Sequence, residues 1–359
     1  MTAMLSVGGT AYTSSNAAAE ELLFGSVDGL FTLKRTGGSW QAERTALQGL
    51  HVSSLALEPQ SGTLFAGTHN GGLLASRDGG RSWQRCAGIE QDEVYSLAVA
   101  HGRVYAGTEP AHLYVSEDAG QTWADLAGLC QVPGTEAWTF PAPPHVAHAK
   151  YIAPDPHDES VVYTCVEQGG LLRSTDGGRT FQLIFDAPAV DAHRIHAPAG
   201  KPGSLFLTRG DWSIGQEGIY RSKDGGSSWE RLFDRSLGIG YPDATLMHPD
   251  NPDLIFVAGA TGSPNAWPKL LNPGTHVARS RDGGDTWQLL TSVPPEGTMA
   301  NIEAMSMNTW RGGFEIFAGT TDGEVYRTED EGETWTTIAT GLPAISKAGH
   351  YRWRARIAA

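Results

Sequence analysis

Two histidine pairs, His145-x-x-His148 and His193-x-x-His196, are the spacings in this chain most suggestive of chemistry. His51, His350, Asp243, Glu303, Arg209 and Asp211 add further titratable groups. Imidazole with carboxylate suits Zn, Mn, Fe or Ni and leaves coordination positions open for water or substrate. Residues three apart on a strand face opposite ways, so each pair supplies one ligand at most. The expected ligands of one divalent metal are His51, His148, His193 and His350. The expected acid–base and charge-stabilising groups are His148, His193, Asp243, Glu303, Arg209 and Asp211. Without a metal, two carboxylates among Asp211, Asp243, Glu303, Glu109 and Glu167 can serve as the acid and the base or nucleophile of glycoside hydrolysis. Trp138, Trp212 and Trp267 offer flat faces to a sugar-like substrate, and Lys150 and Arg194 offer charge.

These residues are scattered over some 300 positions, so the fold has to gather them. The organising element is a repeat. Ser76–Trp83 reads SRDGGRSW, and the pattern [ST]-x-D-x-G-x-[ST]-[WF] returns at Ser116–Trp123, Ser174–Phe181, Ser222–Trp229, Ser280–Trp287 and Thr328–Trp335. A fixed spacing used repeatedly marks one supersecondary unit. Each copy follows a short apolar run such as Leu113-Tyr114-Val115 or Val325-Tyr326, which reads as a strand. The Asp-x-Gly core is turn chemistry: Gly supplies positive φ, and Asp accepts from nearby amides. A decayed copy at Leu33–Trp40 carries Arg35 at the Asp position. Seven copies of a four-stranded unit predict an all-β fold, a seven-bladed β-propeller with four-stranded antiparallel blades. Residues 1–359 are expected to form one domain. The innermost strand of blade one is unclear upstream; the segment from His350 to Arg354 or Ala3–Val7 can supply it, closing the ring with strands from both chain ends.

The repeat resembles the Asp-box, or BNR repeat, of sialidase-like β-propellers. In that family the box is a folding element between the third and fourth strands, away from the active face. The resemblance therefore implies a structural role for Asp78, Asp118, Asp176, Asp224, Asp282 and Asp330. It also implies glycoside hydrolysis as a reaction class. Sialidases further carry an Arg-Ile-Pro motif, an arginine triad and a Tyr–Glu nucleophile pair. The nearest string here, Arg194-Ile195-His196, stands in the wrong blade, so sialidase activity is not expected. Asp-box propellers also serve as receptor ectodomains and assembly factors, which keeps a non-catalytic binding scaffold as an alternative.

Unequal loop lengths point to one face. Long connections fall at 129–144, 209–218 and 259–275, all at the end where first strands begin. Insertions on one face of a repeat array usually mark the binding face. A central polar pocket at that end is the expected site, used for hydrolase- or lyase-type chemistry on a small polar or sugar-like substrate.

Composition narrows the partners. The formal net charge of −14 argues against nucleic acid or an anionic membrane. No phosphate loop, nucleotide fingerprint or nucleophile elbow occurs. Three cysteines without a framework predict a reducing, cytoplasmic setting, with a processed exported protein as the alternative. The first residues lack a basic and apolar leader pattern, and no run is apolar enough to span a membrane. Oligomeric state is left open.

Overall fold

The computed structural model describes residues 2–185, 190–210, 215–233, 235–295, 298–347, 349, 350 and 352. Seven sheets form the seven blades of a β-propeller. The first, innermost strands of blades two to seven are Val52–Glu58, Glu93–Ala100, Ala149–Pro154, Ala192–His196, Tyr241–His248 and Ile302–Trp310. Each pairs antiparallel with the next strand in sequence, as the short connections require. Apolar side chains from neighbouring sheets interdigitate between blades. Phe65 and Leu73 of blade two, for instance, pack with Val94, Leu97 and Val104 of blade three. Full burial of a side chain like Phe65 contributes about 1.5–3 kcal/mol.

The six Asp turns share one hydrogen-bond pattern. In the first, Arg81 N and Ser82 N donate to Asp78 Oδ1 at 3.0 Å each, and Ser82 Oγ donates to Oδ2 at 2.6 Å. Gly80 N donates to Ser76 Oγ at 2.8 Å, and Trp83 Nε1 caps the turn on Gly80 O at 3.1 Å. The matching Gly N to Ser or Thr Oγ bond recurs at 2.8–3.0 Å in the other five. Gly120 shows why glycine is needed. Its φ is +81°, and a Cβ there would lie 2.4 Å from the Phe65 ring of the preceding blade. The copy lacking Asp solves its turn differently. Gly37 and Gly38, both at positive φ, join two eight-residue strands, Gly29–Thr36 and Ser39–Ala46, in a tight hairpin.

The N-terminus departs from the repeat. Ala3–Leu5 is the inner strand of blade one and runs parallel to Glu21–Ser26. Tyr12–Ser14 then adds a fifth strand to blade seven, parallel to Ile302–Trp310. Between them, residues 6–11 thread the propeller axis. Gly8 N donates to Ser53 O and Thr10 N to Leu55 O; Leu97 N donates to Gly8 O and Met307 N to Ala11 O. The thread thus ties blades two, three and seven together. Most of the segment from His350 to Arg354 lies outside the described residues.

Candidate functional site

In each of blades two to seven the first strand slips register near its start. The breaks fall between Val52 and Ser54, Val94 and Ser96, Ala149 and Tyr151, Ala192 and Arg194, Pro242 and Ala244, and Ile302 and Ala304. The residues left without a partner are Ser53, Tyr95, Lys150, His193, Asp243 and Glu303. A bulge inserts one residue in one strand and re-aims its side chain. All six line one cavity on the axis, floored by Val7 and Gly8 of the thread and bounded by Lys347. Its volume of about 20 Å³ holds roughly one water.

Around that cavity is a buried ionic network. Lys150 Nζ lies 2.5 Å and His148 Nε2 3.0 Å from Glu167 Oε2. The other nitrogen of His148 lies 3.3 Å from Glu109 Oε2. Burial opposes charge on His148, but the two carboxylates outweigh it and its pKa is raised. Glu167 is likewise held well below the usual carboxylate range: burial works against its charge, and Lys150 and His148 prevail. Lys347 bonds Asp243, whose other oxygen accepts from Asn301 Nδ2 at 3.0 Å. Glu303 accepts from Ser346 Oγ and Lys347 N and meets His350 Nδ1 at 2.8 Å. Ser346, Lys347 and His350 therefore form a strap over the axis at the end bearing the long loops.

Beside the strap opens a larger cavity of about 560 Å³, lined by His51, His69, Glu93, Tyr95, Glu109, Phe140 and Arg352 among others. Glu93 and Glu109 are opposed register partners on adjacent strands. Burial, and then the charge of Glu109, raises the pKa of Glu93. A column of four rings leads from this cavity toward the axis: His51 against His69 (4.4 Å between centroids), His69 against Tyr95 (4.1 Å) and Tyr95 stacked on His148 (3.8 Å). Burial lowers the pKa of both His51 and His69, so these two rings stay neutral near pH 7.

The residues expected to act fall into distinct places. His148, Lys150, His193, Asp243, Glu303 and His350 converge on the axis. Arg194 reaches the same cavity but spends its donors on carbonyls, with Nε on Asp243 O at 2.7 Å and Nη2 on Val7 O at 2.5 Å. Arg209 is buried with its guanidinium over the Phe185 ring. Trp267 is fully buried, and its Nε1 donates to Gly262 O at 2.7 Å, so it presents no face to a ligand. Trp138 packs half-buried against the core beside blade four. Asp211 and Trp212 lie outside the described residues. Two His–carboxylate triplets can hold an ion by proximity, with ligand atoms mutually within 4.8 Å: Glu167, Asp191 and His193, and Asp243, Glu303 and His350. Neither includes His51, which meets Ser346 O at 2.7 Å, or His148. Sequence reasoning missed Asp191 and Lys347. It also missed the signal in the first strands: an apolar residue or proline stands immediately before each bulged residue, as in Ala192-His193 or Ile302-Glu303.

No family model matches the sequence, and no curated protein does. Solved structures do resemble the fold. The GH74 xyloglucanase from Xanthomonas campestris is 16% identical at a TM-score of 0.65, covering 94% of this chain and 55% of that one. The GH74 enzyme of Niastella koreensis gives 16%, 0.63, 94% and 55%. A YCF48 structure bound to D1 peptide gives 14%, 0.51 and 79% of each chain. The chain spans about half the length of the GH74 enzymes it matches. At such identities the likeness shows a β-propeller fold, and nothing finer.

Proposed function

We propose that this protein is a hydrolase that cleaves a sugar-like or other small polar substrate held in the 560 Å³ cavity, with Glu93 as general acid and Glu109 as base or nucleophile. The observation carrying this reading is the opposed pair of carboxylates in an open, ring-lined cavity. Like charges facing each other across a strand pair are destabilising. Two carboxyl groups with unequal environments are also how one site runs acid and base chemistry together. Burial and the charge of Glu109 raise the pKa of Glu93, and His148 Nδ1 lies 3.3 Å from Glu109 Oε2, which supports Glu93 as the acid and Glu109 as the base or nucleophile. Glu93 then protonates the leaving oxygen while Glu109 attacks the sugar carbon or activates water. Directly opposed residues have Cβ atoms about 4.5–5.5 Å apart, which suits the roughly 5 Å carboxyl spacing of retaining enzymes. Phe140 supplies an apolar face for a sugar ring.

The axial ring acts on this site at one remove, through His148, and its 20 Å³ cavity is too small for a substrate. The reading takes residues 1–359 as one domain. Free thiols at Cys86, Cys130 and Cys165 support a cytoplasmic setting. The test is turnover of a panel of aryl glycosides and oligosaccharides by the wild type, with Glu93→Gln and Glu109→Gln each slowing it about 10²–10⁴-fold. Silence across the panel, or unchanged rates in both variants, overturns the assignment.

A second reading, a non-catalytic binding scaffold, is favoured by the way Lys150 and Lys347 already neutralise the axial carboxylates. It predicts a stoichiometric protein partner and no turnover.

A further inference from the structure

We infer that Glu167, Asp191 and His193 form a binding site for one first-row divalent transition ion, such as Zn²⁺ or Mn²⁺, beside the propeller axis. The inference is independent of the acid–base reading above.

His193 fixes the argument. It is a bulged residue, 1% exposed. Its Nδ1 lies 2.7 Å from Pro242 O, and a carbonyl can only accept, so Nδ1 carries the hydrogen. Nε2 of the neutral ring is then a bare lone pair. Among the described residues it has no hydrogen-bond partner, yet it lies 3.1 Å from Asp191 Oδ1. Two acceptors at that distance need a positive centre between them, either a second ring proton or a metal ion.

The surroundings favour the ion. Glu167 and Asp191 are β-bridge partners, which puts their side chains on one side. Among the described residues, His148 Nε2 and Lys150 Nζ both approach Glu167 at Oε2, which makes Oε1 the oxygen placed to coordinate an ion. Gly210 leaves room: a Cβ there would stand 2.4 Å from His193 Cε1, 2.6 Å from Nε2 and 2.9 Å from Asp191 Oδ2. The Nδ1–H to carbonyl bond is the usual orienting contact of a metal-bound histidine. One imidazole and two carboxylates, with positions open to water, suit Zn²⁺ or Mn²⁺; Ca²⁺ prefers six to eight oxygens.

The experiment uses the full chain, stripped with chelator and then dialysed against ZnCl₂, MnCl₂ or CaCl₂. Elemental analysis is expected to find about one Zn²⁺ or Mn²⁺ per chain and no Ca²⁺. His193→Ala should weaken binding by more than about 100-fold. Gly210→Ala, which keeps every ligand, should weaken it too, and His350→Ala should leave it intact. Circular dichroism confirms folding of each variant. Electron paramagnetic resonance of Mn²⁺ bound to the wild type needs no variant: a bound-ion spectrum that Zn²⁺ displaces supports the site. Less than about 0.1 ion per chain overturns the proposal and leaves a proton between His193 and Asp191. Loss of binding in His350→Ala but not in His193→Ala overturns it as well.

Discussion

The thread through the axis makes the sharpest prediction about this chain, because a single methyl group tests it. A Cβ on Gly9 would lie 2.1 Å from Leu55 O and 2.4 Å from Leu55 N, both backbone atoms that no rotamer change can move. The φ of Gly9 is not in the left-handed region, so alanine is tolerated conformationally; elsewhere Gly→Ala stabilises by about 0.4–1 kcal/mol. Here the thread has to shift. If it yields locally, it loses the bonds from Leu55 N to Ser6 Oγ and from Thr10 N to Leu55 O. Two bonds at about 1 kcal/mol each, with partial desolvation penalties, give about 2–3 kcal/mol. If the thread leaves the axis, the bonds of Gly8 N, Leu97 N and Met307 N go as well, for about 5 kcal/mol in all. Urea unfolding followed by tryptophan fluorescence should therefore show Gly9→Ala destabilised by about 2–5 kcal/mol, and Ser6→Ala, which loses one bond, by about 1–2. A Gly9→Ala protein within about 0.5 kcal/mol of wild type would mean that residues 6–11 do not occupy the channel.

Other outcomes follow from the same contacts. Hydroxyl and amide donors depress the Asp-turn carboxylates, Asp118, Asp176, Asp224 and Asp282 each to about 2. A folded pKa below the unfolded one near 4 means stabilisation that is present above pH 4 and lost as pH falls toward 2. Asp→Asn at one turn should flatten that part of the Tm-against-pH curve. Glu315 is buried, with Arg327 Nε at 2.6 Å and Ala19 N and Asn308 Nδ2 on its other oxygen. Because Arg327 keeps Glu329, Glu315→Ala should cost about 3 kcal/mol, the lower end for breaking a buried pair; replacing both Glu315 and Arg327 by methionine should recover most of it in a double-mutant cycle. Glu93 has its pKa raised by burial and then by Glu109, so in Glu109→Gln its carboxyl ¹³C titration should move to lower pH.

The repeat made the blades legible because each Asp turn is a local structure whose side chains bond within eight residues. Site residues on first strands were legible for a related reason: blade starts converge on the axis by symmetry. What escaped notice was non-local. Ala3–Leu5 and Tyr12–Ser14 are three-residue strands that pair in parallel with partners far along the chain, and no periodicity signals them. Gly8-Gly9 reads as a loop but is a close approach of backbone to backbone. Lys347 lies in an aperiodic stretch, and only the fold brings it to Asp243, 104 residues earlier. Trp267 looked like a binding aromatic because its loop is long; the short helix Trp267–Leu270 turns it inward.

The bulges and the two chain ends together explain why the open cavity is off the axis. Six bulged first strands aim polar and charged groups at the centre, and such groups need partners once water is excluded. The thread supplies carbonyl acceptors from below: Arg194, beside His193, is held on Val7 O. The strap supplies Lys347 and Ser346 from above, bonded to the bulged Asp243 and Glu303. In blade three the bulged residue is Tyr95, whose ring stacks between His69 and His148. On that side the cavity extends outward to the pair Glu93 and Glu109 instead of being filled by the chain. His148 links the network to the cavity, with one nitrogen on buried Glu167 and the other on Glu109. A change of charge on the axis, such as loss of Lys150, reaches Glu109 through that ring. The charge of His148 lowers the pKa of Glu93, so replacing His148 should move the titration of Glu93 to higher pH.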